Sequence, residues 1–509
     1  MSKNLSSQFL SKQSIGLINR QLDLTYATHK AEYDEICSLE NPTIRKKMLL
    51  DFADSCDSAV VTLKAAALPR QSTQVILPCD GISELEVYAP NYRNGERLAL
   101  IRYPHGSIRE IPIVKVNNNN PDAKRLYGTD MRDAIAIHPK VAERLSGADF
   151  DGDQVVCIPT HGSNGVKIIN DKPFKNLIGF DTKRAYGTSD EVHELYDKLK
   201  KEGYSEAKIV KQIKKETGVS LLTEQQKQKQ MGMVSNLITD MTLKGAPANE
   251  IERAVKHSMV VIDAAKHKLD YKQSEKDCGI AELKAKWQTR VEEDGTVKVG
   301  GASTLLSRRK QTIEVNERQG SGIIDKETGE VVYKESGRKY YDKKTGELKE
   351  AKESVKLLNY VDDVHKLSSG TREEEAYADY ANRMKALANT ARKEAMSTPR
   401  LVYSPEAKKE YEDAVKSLNA KIEVAALNAP RERQAQILAN SKVKAIMQEN
   451  PSMEKGEVKK LKNRAIVEAR DAVGAKGKET KIDITDYEWE AIQKGAITDS
   501  KLQQVMRYA

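Results

Sequence analysis

Residues 137–159 read IHPKVAERLSGADFDGDQVVCIP, and the interpretation of the chain turns on the acidic centre of this stretch. Asp149, Asp151 and Asp153 alternate with Phe150 and Gly152 on a segment too short and too charged for a regular element, which then runs into the apolar QVVCIP. Three carboxylates at i, i+2 and i+4 on a tight loop can converge on one hard cation; Gly152 permits the bend, and Phe150 can turn inward to pin the loop to a core. Three anions held together repel one another unless a divalent cation lies between them, so the pattern predicts Mg²⁺. A calcium loop of the EF-hand type also opens with DxDxD, but it needs Gly at its sixth position and Glu at its twelfth. Here those positions are Gln154 and Thr160. An acidic turn that only solvates itself suits a lone DxD better than a loop flanked by core-like strands.

The texture on both sides of the loop is β. From Thr73 to about Ile169 the runs VILP, ELEVYAP, LALIRYP, EIPIVKV, AIAIHP, QVVCIPT and VKII predict one compact all-β unit, with NNNNPD at 117–122 as a loop inside it. His138 reads as part of a core strand. The residues before this unit read as helix: Ile15, Ile18 and Leu22 recur at helical spacing, and Pro42 opens a second helix that runs to Leu68 and is ended by Pro69. After Ser189 helices return. Val234, Leu237, Ile238 and Met241 share a face between Glu224 and Leu243, as do Ile251, Val255, Ser258, Met259 and Ile262 between Ala248 and Leu269, with Gly245 and Pro247 marking the break. Residues 320–350 hold two similar units, GIIDKETGEVVY and KYYDKKTGELKE, each a strand, a turn at Thr-Gly and a return strand. Thr371 to about Ala475 is rich in Ala, Lys and Glu, the pattern of a solvated helical bundle laced with i,i+4 charge pairs. The closing segment ITDYEWEAIQKGAITDSKLQQVMRYA carries two helices suited to docking. The fold class is α+β, in five segments: helical 1–70, the β unit 71–188, helices at 189–300, a basic loop and hairpin insertion at 301–370, and helical 371–509.

The chain has 509 residues with 84 Lys and Arg against 75 Asp and Glu, a net charge of +9 that favours polyanionic partners. Aromatic residues are only 5% and mean hydropathy is −0.63, which points to long solvated helices around one or two compact cores. The five cysteines are scattered without a CxxC pair, the pattern of reduced thiols rather than a disulfide framework or zinc site. No segment has the roughly 18 apolar residues of a membrane span, and no signal-like stretch opens the chain, so the expectation is an intracellular protein with no membrane partner.

Asp149-Phe150-Asp151-Gly152-Asp153, with Ala148 before it and Ile137-His138-Pro139 upstream, resembles the catalytic motif of the largest (β′) subunit of multisubunit RNA polymerases, which lies on a double-psi β-barrel. The family has Asn where this chain has Gly147, and Leu-His-Pro where it has Ile-His-Pro. Arg102-Tyr103-Pro104 is similar to the family's Arg-Ala-Pro element, whose Arg faces the incoming nucleotide. Downstream, Met231-Gly232-Met233-Val234-Ser235-Asn236, then Lys256-His257-Ser258, then Val261-Ile262-Asp263-Ala264-Ala265-Lys266 resemble the segment that follows the acidic motif in single-chain two-barrel polymerases, the RNA-silencing RNA-dependent enzymes and their phage-encoded relatives. Asn236, Lys256, His257 and Lys266 are candidates for contacts with phosphates or the nascent strand, and Arg308, Arg309 and Lys310, behind Gly300 and Gly301, for a basic loop closing on a triphosphate or strand.

What the resemblance implies is two-metal nucleotidyl transfer from NTPs to an RNA 3′ end, with Mg²⁺ held by Asp149, Asp151 and Asp153 and no side-chain nucleophile. It also implies a second barrel bearing two lysines. Only about 70 helical residues precede the β unit and nothing after residue 189 reads as another barrel, so that half is expected from a second polypeptide. The template is DNA or RNA, with DNA-dependent transcription by a phage-type enzyme in the host cytoplasm, or packaged in the virion, as the favoured form. The competing expectation is a nucleic-acid clamp or virion component that retains the barrel without catalysis.

Overall fold

The computed structural model describes residues 6–62, 65, 67–103, 106–145, 148–160, 166–291, 297–299, 305, 308, 312–342, 345–399, 401–449 and 455–509. The chain divides into two compact units. One comprises residues 1–30, 55–322 and 333–387, and the other residues 31–54, 323–332 and 388–509.

Six strands organise the first unit: β1 (Ser72–Pro78), β2 (Glu86–Tyr88), β3 (Arg97–Ile101), β4 (Ile113–Val116), β5 (Ala134–Ile137) and β6 (Gln154–Pro159). They close into a barrel in the order β1-β5-β2-β4-β3-β6. The β1–β5 and β2–β4 pairs are parallel, and the other four are antiparallel. Exchanging β1 with β4, β2 with β5 and β3 with β6 maps each pairing onto one of the same sense, so the barrel consists of two interleaved three-stranded halves.

Alternate residues fill the barrel: Ile76, Leu98 and Leu100, Val114 and Val116, Ile135 and Ile137, Val155 and Cys157. On β3, β5 and β6 the intervening Ala99, Ile101, Ala136, Val156 and Ile158 are also buried, so these strands read as continuous apolar runs, whereas β1 and β4 alternate. Each such Ile, Leu or Val contributes about 1.5–3 kcal/mol by leaving water. VKII at 166–169 is not a strand; Val166 N–H bonds the Pro159 carbonyl and Ile169 N–H bonds the Gln13 side chain, ties that a run with the same composition as a strand does not reveal.

The helices of the first part of the chain are α1 (Ser7–Leu10), α2 (Ile15–Cys37), α3 (Pro42–Thr62), α4 (Pro121–Tyr127), α5 (Pro139–Glu143), α6 (Thr182–Tyr186), α7 (Asp190–Lys201), α8 (Glu206–Thr217), α9 (Glu224–Leu243), α10 (Ala248–His267), α11 (Tyr271–Asp277) and α12 (Ile280–Gln288). The described part of α3 reaches Thr62, and Ala65 and Leu68 are not helical, so the helix stops short of Leu68. NNNNPD is a loop only to Asn120, whose side chain caps α4 at the Ala123 N–H while Pro121 takes the first helical position. α9 packs through Val234, Leu237, Ile238 and Met241, the face its periodicity predicts, whereas α10 contributes Ala254 and Val255; of the face predicted for α10, Ile251 packs only at the edge, Met259 is buried outside this cluster and Ile262 is half-buried.

The two similar units form the strands Arg318–Ile324 with Val331–Glu335 and Lys339–Tyr341 with Leu348–Glu350. Their turns repeat one pattern: Asp325 N–H bonds Glu330 O and Gly329 N–H bonds Asp325 O, as Asp342 N–H bonds Glu347 O and Gly346 N–H bonds Asp342 O. Gly329 and Gly346 have φ of +77° and +70°. Apart from residues 323–332 of the first hairpin, the second unit is helical. The long helix Glu412–Glu449 packs its first half on helices Asp486–Gln493 and Asp499–Tyr508 and its second half on helix Lys455–Val473. Among the described residues no helix is long and apolar enough to cross a membrane.

Candidate metal centre

The acidic loop lies between α5 and β6. β5 ends at Ile137, and His138 caps α5 by accepting the Lys140 N–H on Nδ1, with Pro139 at the first helical position; His138 is therefore a helix cap rather than a core-strand residue. Ala148 and Phe150 pack against the barrel core, and Gly152 takes φ +108°, a conformation that other residues adopt only under strain. At its far end the loop is tied to the barrel by Ile76 N–H, which donates to Asp153 O at 3.1 Å. Across the loop Asp149 N–H donates to Asp153 Oδ2 at 3.1 Å.

With Phe150 turned toward the core, the three aspartates are left on the outer side. One carboxylate oxygen from each of Asp149, Asp151 and Asp153 lies within 4.8 Å of the others. A hard cation with metal–oxygen bonds of about 2.1–2.5 Å separates two of its ligand oxygens by roughly 3–5 Å. The residues fit such an ion in spread and in donor type, and the group could hold a metal.

Two cations already answer these charges. Arg102 follows the last residue of β3, and the antiparallel register pairs Ile101 with Val156, so the residues after β3 run beside those before β6. The Arg102 guanidinium accordingly meets Asp153 Oδ2 at 2.9 Å. Lys266, near the end of α10, places Nζ 2.9 Å from Asp151 Oδ2 and 3.8 Å from Asp149 Oδ2. α10 stops two residues later at Lys268, which adopts φ +54°. The shared hydrogen bond between Asp149 and Asp151, with repulsion from the other carboxylates, raises Asp149 above the usual carboxylate range. The same hydrogen bond, then the Lys266 ammonium, lowers Asp151. Lys266 is raised by Asp151 in return.

The remaining candidate residues scatter. His257 is only 2% exposed; its Nδ1 lies 2.9 Å from Ser274 Oγ, and burial pushes its pKa down to about 4. It is an interior residue and not a surface contact for nucleic acid. Lys256 places its ammonium 5.0 Å from the centre of the Phe180 ring. Asn236 accepts from the Gln8 side chain at 3.4 Å. Arg308 donates to the Leu367 carbonyl, whereas Arg309 and Lys310, like Gly300 and Gly301, lie outside the described residues.

Lys12 was not singled out by the sequence. It is 3% exposed, donates to the Gly106 carbonyl at 3.0 Å and lies near Glu110, tying the segment after α1 to the chain four residues beyond Arg102. Burial pushes its amine down to about 7, against the pull of Glu110. Nothing in the local string LSKQS separates it from a solvated lysine. No protein-family model matches the chain, and no curated protein is similar to it.

Proposed function

We propose that this chain supplies the metal-binding, double-psi barrel of a two-barrel RNA polymerase and transfers nucleotides from NTPs to an RNA 3′ end. One observation carries the reading: three converging carboxylates on the loop before the last strand of a closed barrel with two interleaved halves, faced by Arg102 and Lys266. Asp149, Asp151 and Asp153 would hold Mg²⁺. The chemistry a bound Mg²⁺ supplies is activation of the RNA 3′-hydroxyl and neutralisation of the departing pyrophosphate. Phe150 and Gly152 keep the three carboxylates on one side of the loop. Arg102 is positioned to exchange Asp153 for the sugar of an incoming nucleotide, and Lys266 to exchange Asp151 for a phosphate oxygen when the carboxylates take up metal. The lysine-bearing second barrel comes from another polypeptide, and DNA is the favoured template.

A second reading has one observation in its favour. Lys266 and Arg102 compensate the triad without a metal, as a barrel kept only as a nucleic-acid clamp or virion component would require. The two separate in a reconstituted complex of this chain with its co-purifying partner, supplied with primed DNA or RNA, Mg²⁺ and labelled NTPs. Incorporation that disappears with Asp151→Asn supports the polymerase; incorporation unchanged by that substitution sinks it.

A further inference from the structure

The helical C-terminal region departs from the charge-paired surface that its composition suggests. Beyond Pro430, which lacks the N–H for its intrahelical hydrogen bond, the long helix leaves the C-terminal helices and pairs with helix Lys455–Val473 through Ala435, Ala439 and Val443 against Ala465 and Ala469. Residues 431–473 carry ten Lys and Arg against six Asp and Glu, a net +4 of the chain's +9 in 43 residues. Among these charges Glu432 takes Arg470 at 2.6 and 2.8 Å, and Glu468 takes Lys442. By contrast Arg433 and Lys444 on one helix, and Lys459, Lys460 and Lys462 on the other, are exposed and make no ion pair with the described residues, while Arg464 is exposed beside Glu468.

We infer that this hairpin, residues 431–447 with 456–473, is an arm that binds the phosphate backbone of double-stranded nucleic acid. Its 17-residue outer segment spans about 25 Å at 1.5 Å per residue, the length of roughly seven base pairs. Residues 431–473 contain no Phe, Tyr or Trp, so the arm has no platform on which single-stranded bases could stack. The same lack removes the aromatic anchors on which protein interfaces depend, although Ile437, Leu438 and Val467 are exposed among the cations. Unpaired cations spread along two helices match a regular polyanion and carry no base specificity. The inference does not rest on the metal centre.

The test is fluorescence anisotropy of a 30-base-pair DNA duplex of arbitrary sequence with the full chain, over a series of salt concentrations. Lys459→Glu/Lys460→Glu/Lys462→Glu is expected to weaken binding at least ~10-fold and to flatten the log–log salt slope by about 2–3, one phosphate contact per lysine lost. Ile437→Ser/Leu438→Ser is expected to bind as the parent does, and circular dichroism checks that each variant folds. Unchanged duplex affinity in the charge-reversed chain overturns the arm. So does a loss confined to Ile437→Ser/Leu438→Ser, which would mark an apolar protein interface, or a loss seen only with a single strand. Failure of RNA synthesis by Asp151→Asn bears on the metal centre alone.

Discussion

Lys12 makes the stability of the barrel unit depend on pH in a calculable way. Its amine is fully buried and titrates near 7, against 10.5 for a free lysine. Between those values the unfolded chain carries a proton on Lys12 that the folded chain does not, so unfolding takes up a proton and rising pH favours the fold. Below about 7 the charged form is buried and the cost is fully present; it is relieved as pH rises toward 10.5. The slope is about 1.4 kcal/mol per pH unit, and ~5 kcal/mol across the whole window. Lys12→Met keeps the stem of the side chain and removes the proton. Urea unfolding of the parent and variant from about pH 7.5 to 9, followed by tryptophan fluorescence, measures the difference. The chain has two tryptophans, and in a Trp489→Phe background Trp287 alone reports on the unit that holds Lys12. The parent should gain on Lys12→Met by about 1.4 kcal/mol for each unit of pH. Parallel stability curves would refute the buried amine.

Three further outcomes follow from the site. Gly152→Ala puts a side chain at φ +108° with nothing within 4 Å of the new Cβ, so the cost is purely backbone strain; a stability loss of about 1–3 kcal/mol is expected in the same unfolding assay. Lys266→Met removes the ammonium beside Asp151 and Asp149, and Mn²⁺ titration followed by electron paramagnetic resonance should show several-fold tighter binding, since a unit charge about 4 Å away is worth ~1 kcal/mol in water. Equal or weaker binding would mean that Lys266 does not oppose the metal. His257→Ala removes a buried imidazole and its hydrogen bond to Ser274, whose hydroxyl keeps Tyr186 and Cys278 as partners, and should lower stability by about 1–3 kcal/mol while leaving nucleic-acid affinity unchanged.

The barrel was legible because its strands are short and apolar, β3, β5 and β6 being buried on both faces, so they stand out as runs between turns. Which alternate residues face inward was not legible, since Ala99 and Ile101 are as apolar as Leu98 and Leu100. VKII has the composition of a strand but no place in a barrel that six strands already close. The acidic loop could be read residue by residue, because Gly152 and Phe150 have local reasons for their places. Its meeting with Arg102 could not, because it depends on the pairing of β3 with β6. His257 did carry a signal: it falls three residues after Ala254 and four before Val261, on the buried face of α10. Lys12 carried none, because its burial comes from packing far along the chain.

The claim that residues 149–153 form a metal centre faced by β3 and α10 is tested most directly by replacing Mg²⁺ with Fe²⁺ under reducing conditions and mapping where hydroxyl radicals cut the chain. The account predicts cleavage around Asp149–Asp153, near Arg102 and near Lys266, suppressed by excess Mg²⁺ and absent from a chain with all three aspartates changed to Ala. Cleavage elsewhere, or a pattern indifferent to the aspartates, would contradict it.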